Sequence, residues 1–169
     1  LAGPLELLLD RASYVSGTTL QRLKMLVTYN PWLLSWDEIA ETLRVYDKYW
    51  PLNDLSWMPA VVESYLQQSI RQDIEPGVRD VILFICERAD SASVEQLVLV
   101  VLRYVATSPS LSHRMTMSIV DLLTESSLDK EYLWETVIGY EARHKSVDLE
   151  AWDLFKRSLK SRLSLGLSQ

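Results

Sequence analysis

Apolar residues recur at three- and four-residue spacing along most of the chain, the period of an amphipathic helix and not the alternation of a half-buried strand. The pattern predicts about nine helices. Pro4 to Ala12 forms a first short helix, with proline in a turn where its missing N–H costs nothing. Ser16-Gly17-Thr18 leads into a second, Thr19 to Tyr29, which Asn30-Pro31 ends. A third opens on Ser35 and Glu38, spaced as a capping box in which each side chain satisfies an orphan backbone donor. It carries Ile39, Leu43, Tyr46 and Trp50, and Pro51 disfavours helical backbone at Trp50. Leu43, Tyr46 and Trp50 share one face at i, i+3, i+7 and make a structural aromatic helix end.

A fourth helix starts between Asp54 and Ser56, tolerates Pro59 in its first turn and reaches Ile70. Glu75-Pro76-Gly77 breaks the chain before a fifth, Val78 to Arg88. The sixth, Ser93 to about Ala106, is apolar on most sides and is expected at the centre of the core. Ser108-Pro109-Ser110 separates it from a seventh, Leu111 to Glu125. Ser127 and Asp129 introduce an eighth, Lys130 to Arg143, and Val147 or Asp148 caps a ninth carrying Leu149, Trp152, Phe155, Leu159 and Leu163.

Short connections between helices of this length predict an all-α fold of stacked antiparallel pairs, a HEAT-type α-solenoid, in which first pairs with second, third with fourth, fifth with sixth and seventh with eighth. No strict repeat is visible, so an irregular helical bundle is the alternative. Residues 1–163 form one domain and 164–169 a fraying tail.

Composition narrows the function. Only 5 Gly and 6 Pro in 169 residues fit long regular elements. A net charge of −6 argues against nucleic acid as a direct ligand of the whole domain. The lone Cys86, within the apolar run Val81 to Cys86, is expected to be a buried small hydrophobe; one cysteine allows no internal disulfide and suits a reducing compartment. No apolar run approaches a membrane span, since Glu95, Gln96 and Arg103 interrupt the longest. No secretory signal is evident, and a start at Leu1 is expected of a piece of a longer protein.

Little points to chemistry. His113 and His144 sit beside basic residues at a helix start and a helix end, and one cysteine cannot complete a metal set with them. His144 is expected to complement the carbonyl end of its helix. The glycines are too scattered for a phosphate loop, and no Gly-x-Ser-x-Gly elbow occurs. Pairs such as Asp37/Glu38 and Glu131/Glu135 fit helix starts or solvated faces. No catalytic residue, metal or cofactor is expected. Six tryptophans are core packing or a partner surface; Trp32 and Trp36, in the Pro31–Asp37 connection, are the interface candidates. Lys156, Arg157, Lys160 and Arg162 cluster near the end, where cations favour a helix C-terminus or dock an acidic partner helix or DNA phosphate.

The stretch from Pro4 to Pro51 resembles the centromere protein I family of inner-kinetochore subunits. The likeness is carried by Pro4-Leu5 and Leu7-Leu8-Leu9, by Arg22-Leu23, by Thr42-Leu43-Arg44-Val45-Tyr46 and by Tyr49-Trp50-Pro51. The family's basic turn between its first two helices is replaced by Val15-Ser16-Gly17-Thr18-Thr19, and the correspondence stops at Pro51. The resemblance implies a HEAT-like scaffold in the nucleus, at the kinetochore, with centromere proteins H and K as helical partners. Physical reading alone leaves a non-enzymatic helical scaffold for protein–protein assembly, a HEAT- or MIF4G-like adaptor in an RNA-processing or transport complex, and a helical ligand-binding bundle or enzyme.

Overall fold

The computed structural model describes residues 35–49, 55–67 and 73–163. The first two expected helices, Trp32, Trp50 and the 164–169 tail lie outside the described residues, as do the side chains of Leu43 and Tyr46. The described residues form seven helices and no strand: α1 (Trp36–Tyr49), α2 (Met58–Gln67), α3 (Pro76–Arg88), α4 (Ser91–Thr107), α5 (His113–Glu125), α6 (Lys130–Arg143) and α7 (Leu149–Leu163). None is long and apolar enough to cross a membrane.

Local chemistry sets the helix starts. The capping box before α1 forms reciprocally: the Ser35 N–H donates to Glu38 Oε1 at 3.2 Å and the Glu38 N–H to Ser35 Oγ at 3.1 Å. Ser112 caps α5 by accepting from the Met115 N–H, and Asp129 caps α6 by accepting from the Tyr132 N–H. Asp148 accepts from the Ala151 N–H and so caps α7. Several expected boundaries move: α2 begins at Met58, α4 at Ser91 and α5 at His113. Pro76 and Gly77 belong to α3, because proline's fixed φ suits the first helical position. Gly77 is tolerated there because the backbone of α1 lies against it.

α4 is central, as its all-round apolarity requires. Val94, Leu97, Val98, Val100, Val101, Leu102, Val105 and Ala106 are all buried. The expected pairing of consecutive helices holds for α3 with α4, whereas α1/α2 and α5/α6 are not among the closely packed pairs of the described residues. The densest contacts skip one helix: α1 packs on α3, α2 on α4 and α5 on α7, while α3 touches α5 and α4 touches α6 only lightly. The cause is α4, whose apolar circumference takes α2, α3, α6 and α7 together. A single apolar core runs from Ile39 to Leu163, with Phe155 and Leu102 fully enclosed. Each fully buried side chain of this kind contributes about 2–3 kcal/mol by leaving water. Among the described residues, the buried Thr116 and Ser93 are satisfied locally: Thr116 Oγ1 donates to the Ser112 carbonyl and Ser93 Oγ to Asp90. Cys86 is half-buried rather than fully buried, and burial pushes its thiol up to about 12, far from a reactive thiolate.

Candidate functional site

α6 buries fewer residues in the core than α2, α3, α4, α5 or α7. Only Leu133, Val137 and Tyr140, at i, i+4, i+7, are buried. Its remaining apolar residues lie on two flanks. Trp134 and Ile138 share one, with Ile138 41 % exposed and the Trp134 ring covered from one side by the Lys160 ammonium, 6.0 Å from its centroid. Tyr132 and Thr136 lie on the other flank, facing α4.

That second flank bounds a groove of about 320 Å³. Glu95 and Leu99 of α4 form one wall. Tyr132, Glu135, Thr136 and Tyr140 of α6 form the other, and Arg143 and His144 close one end. The C-terminal ends of the two helices are tied: the Val147 N–H donates to the Ala106 carbonyl at 2.8 Å and Ser146 Oγ donates to the same oxygen at 3.2 Å. Glu95 and Glu135 both lie two to three turns back from this knot, toward the N-terminal half of their helices.

Aromatic stacking stiffens the floor. His144 stacks on Tyr140 at 4.3 Å between centroids, and Tyr140 meets Trp152, which meets Phe155. The His144 backbone N–H also donates to the Tyr140 carbonyl and closes α6. Burial raises the Tyr140 phenol above its ordinary value, against the pull of the nearby Arg103 charge. Behind Tyr140, Glu141 accepts from the Trp152 indole N–H at 2.7 Å and from Lys156 Nζ at 2.8 and 3.0 Å. The Lys156 bond foremost, then that from Trp152, holds the Glu141 carboxyl below its ordinary value.

These contacts relocate the residues singled out in the sequence. Trp36 is half-buried in the first turn of α1, with one face edge-on to Tyr65 of α2 at 5.0 Å and 71°. Trp32 lies outside the described residues. Three members of the basic cluster have partners on other helices: Lys156 is held by Glu141, Arg162 by Asp121 and Lys160 by Trp134. Arg157 alone of the four is exposed with no such contact among the described residues. Among the described residues no three His, Cys, Asp or Glu side chains gather as a metal set. The groove was not visible in the sequence; Glu131 and Glu135 are both exposed, as a solvated pair is, and the register of α6 on α4 puts Glu135 and Glu95 on the lining of one groove. No known protein family, curated protein or solved structure matches this chain.

Proposed function

We propose that this chain is a non-enzymatic helical scaffold that assembles with other protein subunits. The observation that carries the reading is α6, which keeps only three residues in the core and presents Trp134 and Ile138 on one flank and a groove on the other. Aromatic residues beside exposed aliphatic ones, on a rigid helix, are the usual anchors of protein interfaces. The packing of alternate helices supports a HEAT-like stack, odd-numbered helices in one file and even-numbered ones in the other.

The resemblance over residues 4–51 favours the inner kinetochore as the assembly, in the nucleus, with centromere proteins H and K as helical partners. Affinity capture of the tagged chain from cells, followed by identification of stoichiometric subunits, tests this reading. Coiled-coil kinetochore subunits are expected, with recovery reduced by Ile138→Asp. Recovery of an RNA-processing or transport complex would select the adaptor role, and a chain that recovers alone would contradict the scaffold reading.

A further inference from the structure

The connection between α6 and α7 exposes, in linear order, three basic side chains, a serine and an apolar residue. Arg143, His144 and Lys145 are all exposed. Val147 and Leu149, at 65 % and 68 %, are the most exposed large hydrophobics among the described residues. Arg143 and Lys145 form no ion pair among the described residues, whereas Arg79, Arg103 and Arg114 each meet a carboxylate. Arg143 donates through Nε to the Gly139 carbonyl of its own helix at 3.2 Å. At His144 the backbone leaves the helix in an extended conformation, φ −135° and ψ 145°.

Ser146, at the centre of this run, ties the connection to the end of α4. Its Oγ lies 3.2 Å from the Ala106 carbonyl oxygen and 2.9 Å from that of Asp148, and its single proton serves one of them at a time. It also accepts from the Asp148 N–H at 3.3 Å. The Val147 N–H makes the second link to Ala106, at 2.8 Å. Among the described residues two serines stand three positions after an arginine, Ser91 and Ser146. Ser91 is in the first turn of α4, with Asp90 before it and Ala92 after. Ser146 lies between helices, with Lys145 before it and the exposed Val147 after.

We infer that Ser146 is a phosphorylation site for a protein kinase that reads an arginine three residues before the serine and an apolar residue after it, and that the phosphate releases this connection from α4. Kinases select substrates in large part by such charge patterns. Ser146 Oγ attacks the γ-phosphorus of magnesium-bound ATP, and the bond from that phosphorus to the β,γ-bridging oxygen breaks. ADP leaves with the electron pair, and the hydroxyl proton passes to the kinase's catalytic carboxylate. The ester oxygen has no proton to give Ala106. A charge of about −1.5 to −2 at pH 7 then stands beside the Asp148 carboxylate and at the carbonyl ends of α4 and α6, where an anion is disfavoured. Arg143 and Lys145 draw the phosphate outward instead. The site does not depend on the chain having partner subunits.

The probe is the catalytic subunit of cyclic-AMP-dependent protein kinase, which has this preference, acting with magnesium and ATP on the whole folded chain. One phosphate per chain is expected, placed at Ser146 by tandem mass spectrometry. Ser146→Ala should abolish it, Ser91→Ala should leave it unchanged, and Arg143→Ala should lower kcat/KM by about tenfold or more. Arg143 is exposed, so Arg143→Ala should keep the wild-type melting curve and reads recognition even if Ser146→Ala loosens the fold. In the phosphorylated chain the Val147 amide should exchange with solvent at least about tenfold faster. Ser146 left unmodified in the folded chain, or a rate indifferent to Arg143→Ala, would overturn the site. A phosphorylated Ser146 with Val147 exchange unchanged would overturn the release.

Discussion

The first turn of α3 lies directly on the first turn of α1, and Gly77 and Trp36 are the residues that meet. A Cβ on Gly77 would stand 2.6 Å from the Trp36 carbonyl carbon and 2.7 Å from the Asp37 nitrogen. Those atoms are backbone within a capped helix and cannot yield by a side-chain rotation. Gly77→Ala should therefore force the two helices apart and destabilise the fold by about 1–3 kcal/mol. Gly139 is the contrast, since a Cβ there meets only the mobile end of Arg143, at 3.1 Å. Gly139→Ala should stabilise α6 by up to about 1 kcal/mol. Urea denaturation of both variants checks the pair.

Trp36 is an interface candidate from the sequence, and its described face makes a T-shaped contact with Tyr65. Trp36→Ala should lower stability by about 2–3 kcal/mol, less than a fully buried tryptophan because one side faces solvent. A double-mutant cycle with Tyr65→Ala should return a coupling of about 0.5–1.5 kcal/mol. Zero coupling would free the ring for another role.

Glu141 links α6 to α7 and gives the fold an acid-sensitive joint. Its folded pKa lies below the ordinary 4.5, chiefly through Lys156. Its contribution is therefore complete above the unfolded value and is lost as pH falls through the folded one. Glu141→Gln should reduce stability at pH 7 by about 1 kcal/mol, because the pair is partly exposed and screened. The difference between wild type and variant should shrink below about pH 4.5, the unfolded value. Denaturation midpoints measured from pH 7 to pH 3 would show this convergence.

Ser110 sits in the turn between α4 and α5 with φ 54°, a left-handed backbone that carries a penalty for residues with a Cβ. Ser110→Gly should raise the melting temperature slightly, and Ser110→Val should lower it by more, since a β-branched side chain fits that region worst. Thermal unfolding by circular dichroism separates the two.

What could be foreseen and what could not divides along sequence separation. The Ser35/Glu38 box, the Asp129 cap and the central place of α4 were legible because each depends on residues within a few positions or on a run of apolar ones. The start of α3 was misplaced because Pro76-Gly77 resembles a break, and only the distant Trp36 backbone explains the glycine. The basic cluster at Lys156 to Arg162 looked continuous along the chain. Glu141 and Asp121, 15 and 41 residues away, take up Lys156 and Arg162 separately. Glu95 and Glu135 line one groove only through the packing of α6 on α4, which periodicity does not specify.

The central claim is that the α4/α6 face receives another subunit. Cross-linking mass spectrometry on the assembly captured from cells tests it most directly, because Lys130 and Lys145 bracket α6 at its two ends. Intermolecular cross-links from both lysines to one partner segment are expected. Capture of a stoichiometric partner whose cross-links avoid both lysines, or a chain that stays monomeric in its native extract, would contradict it.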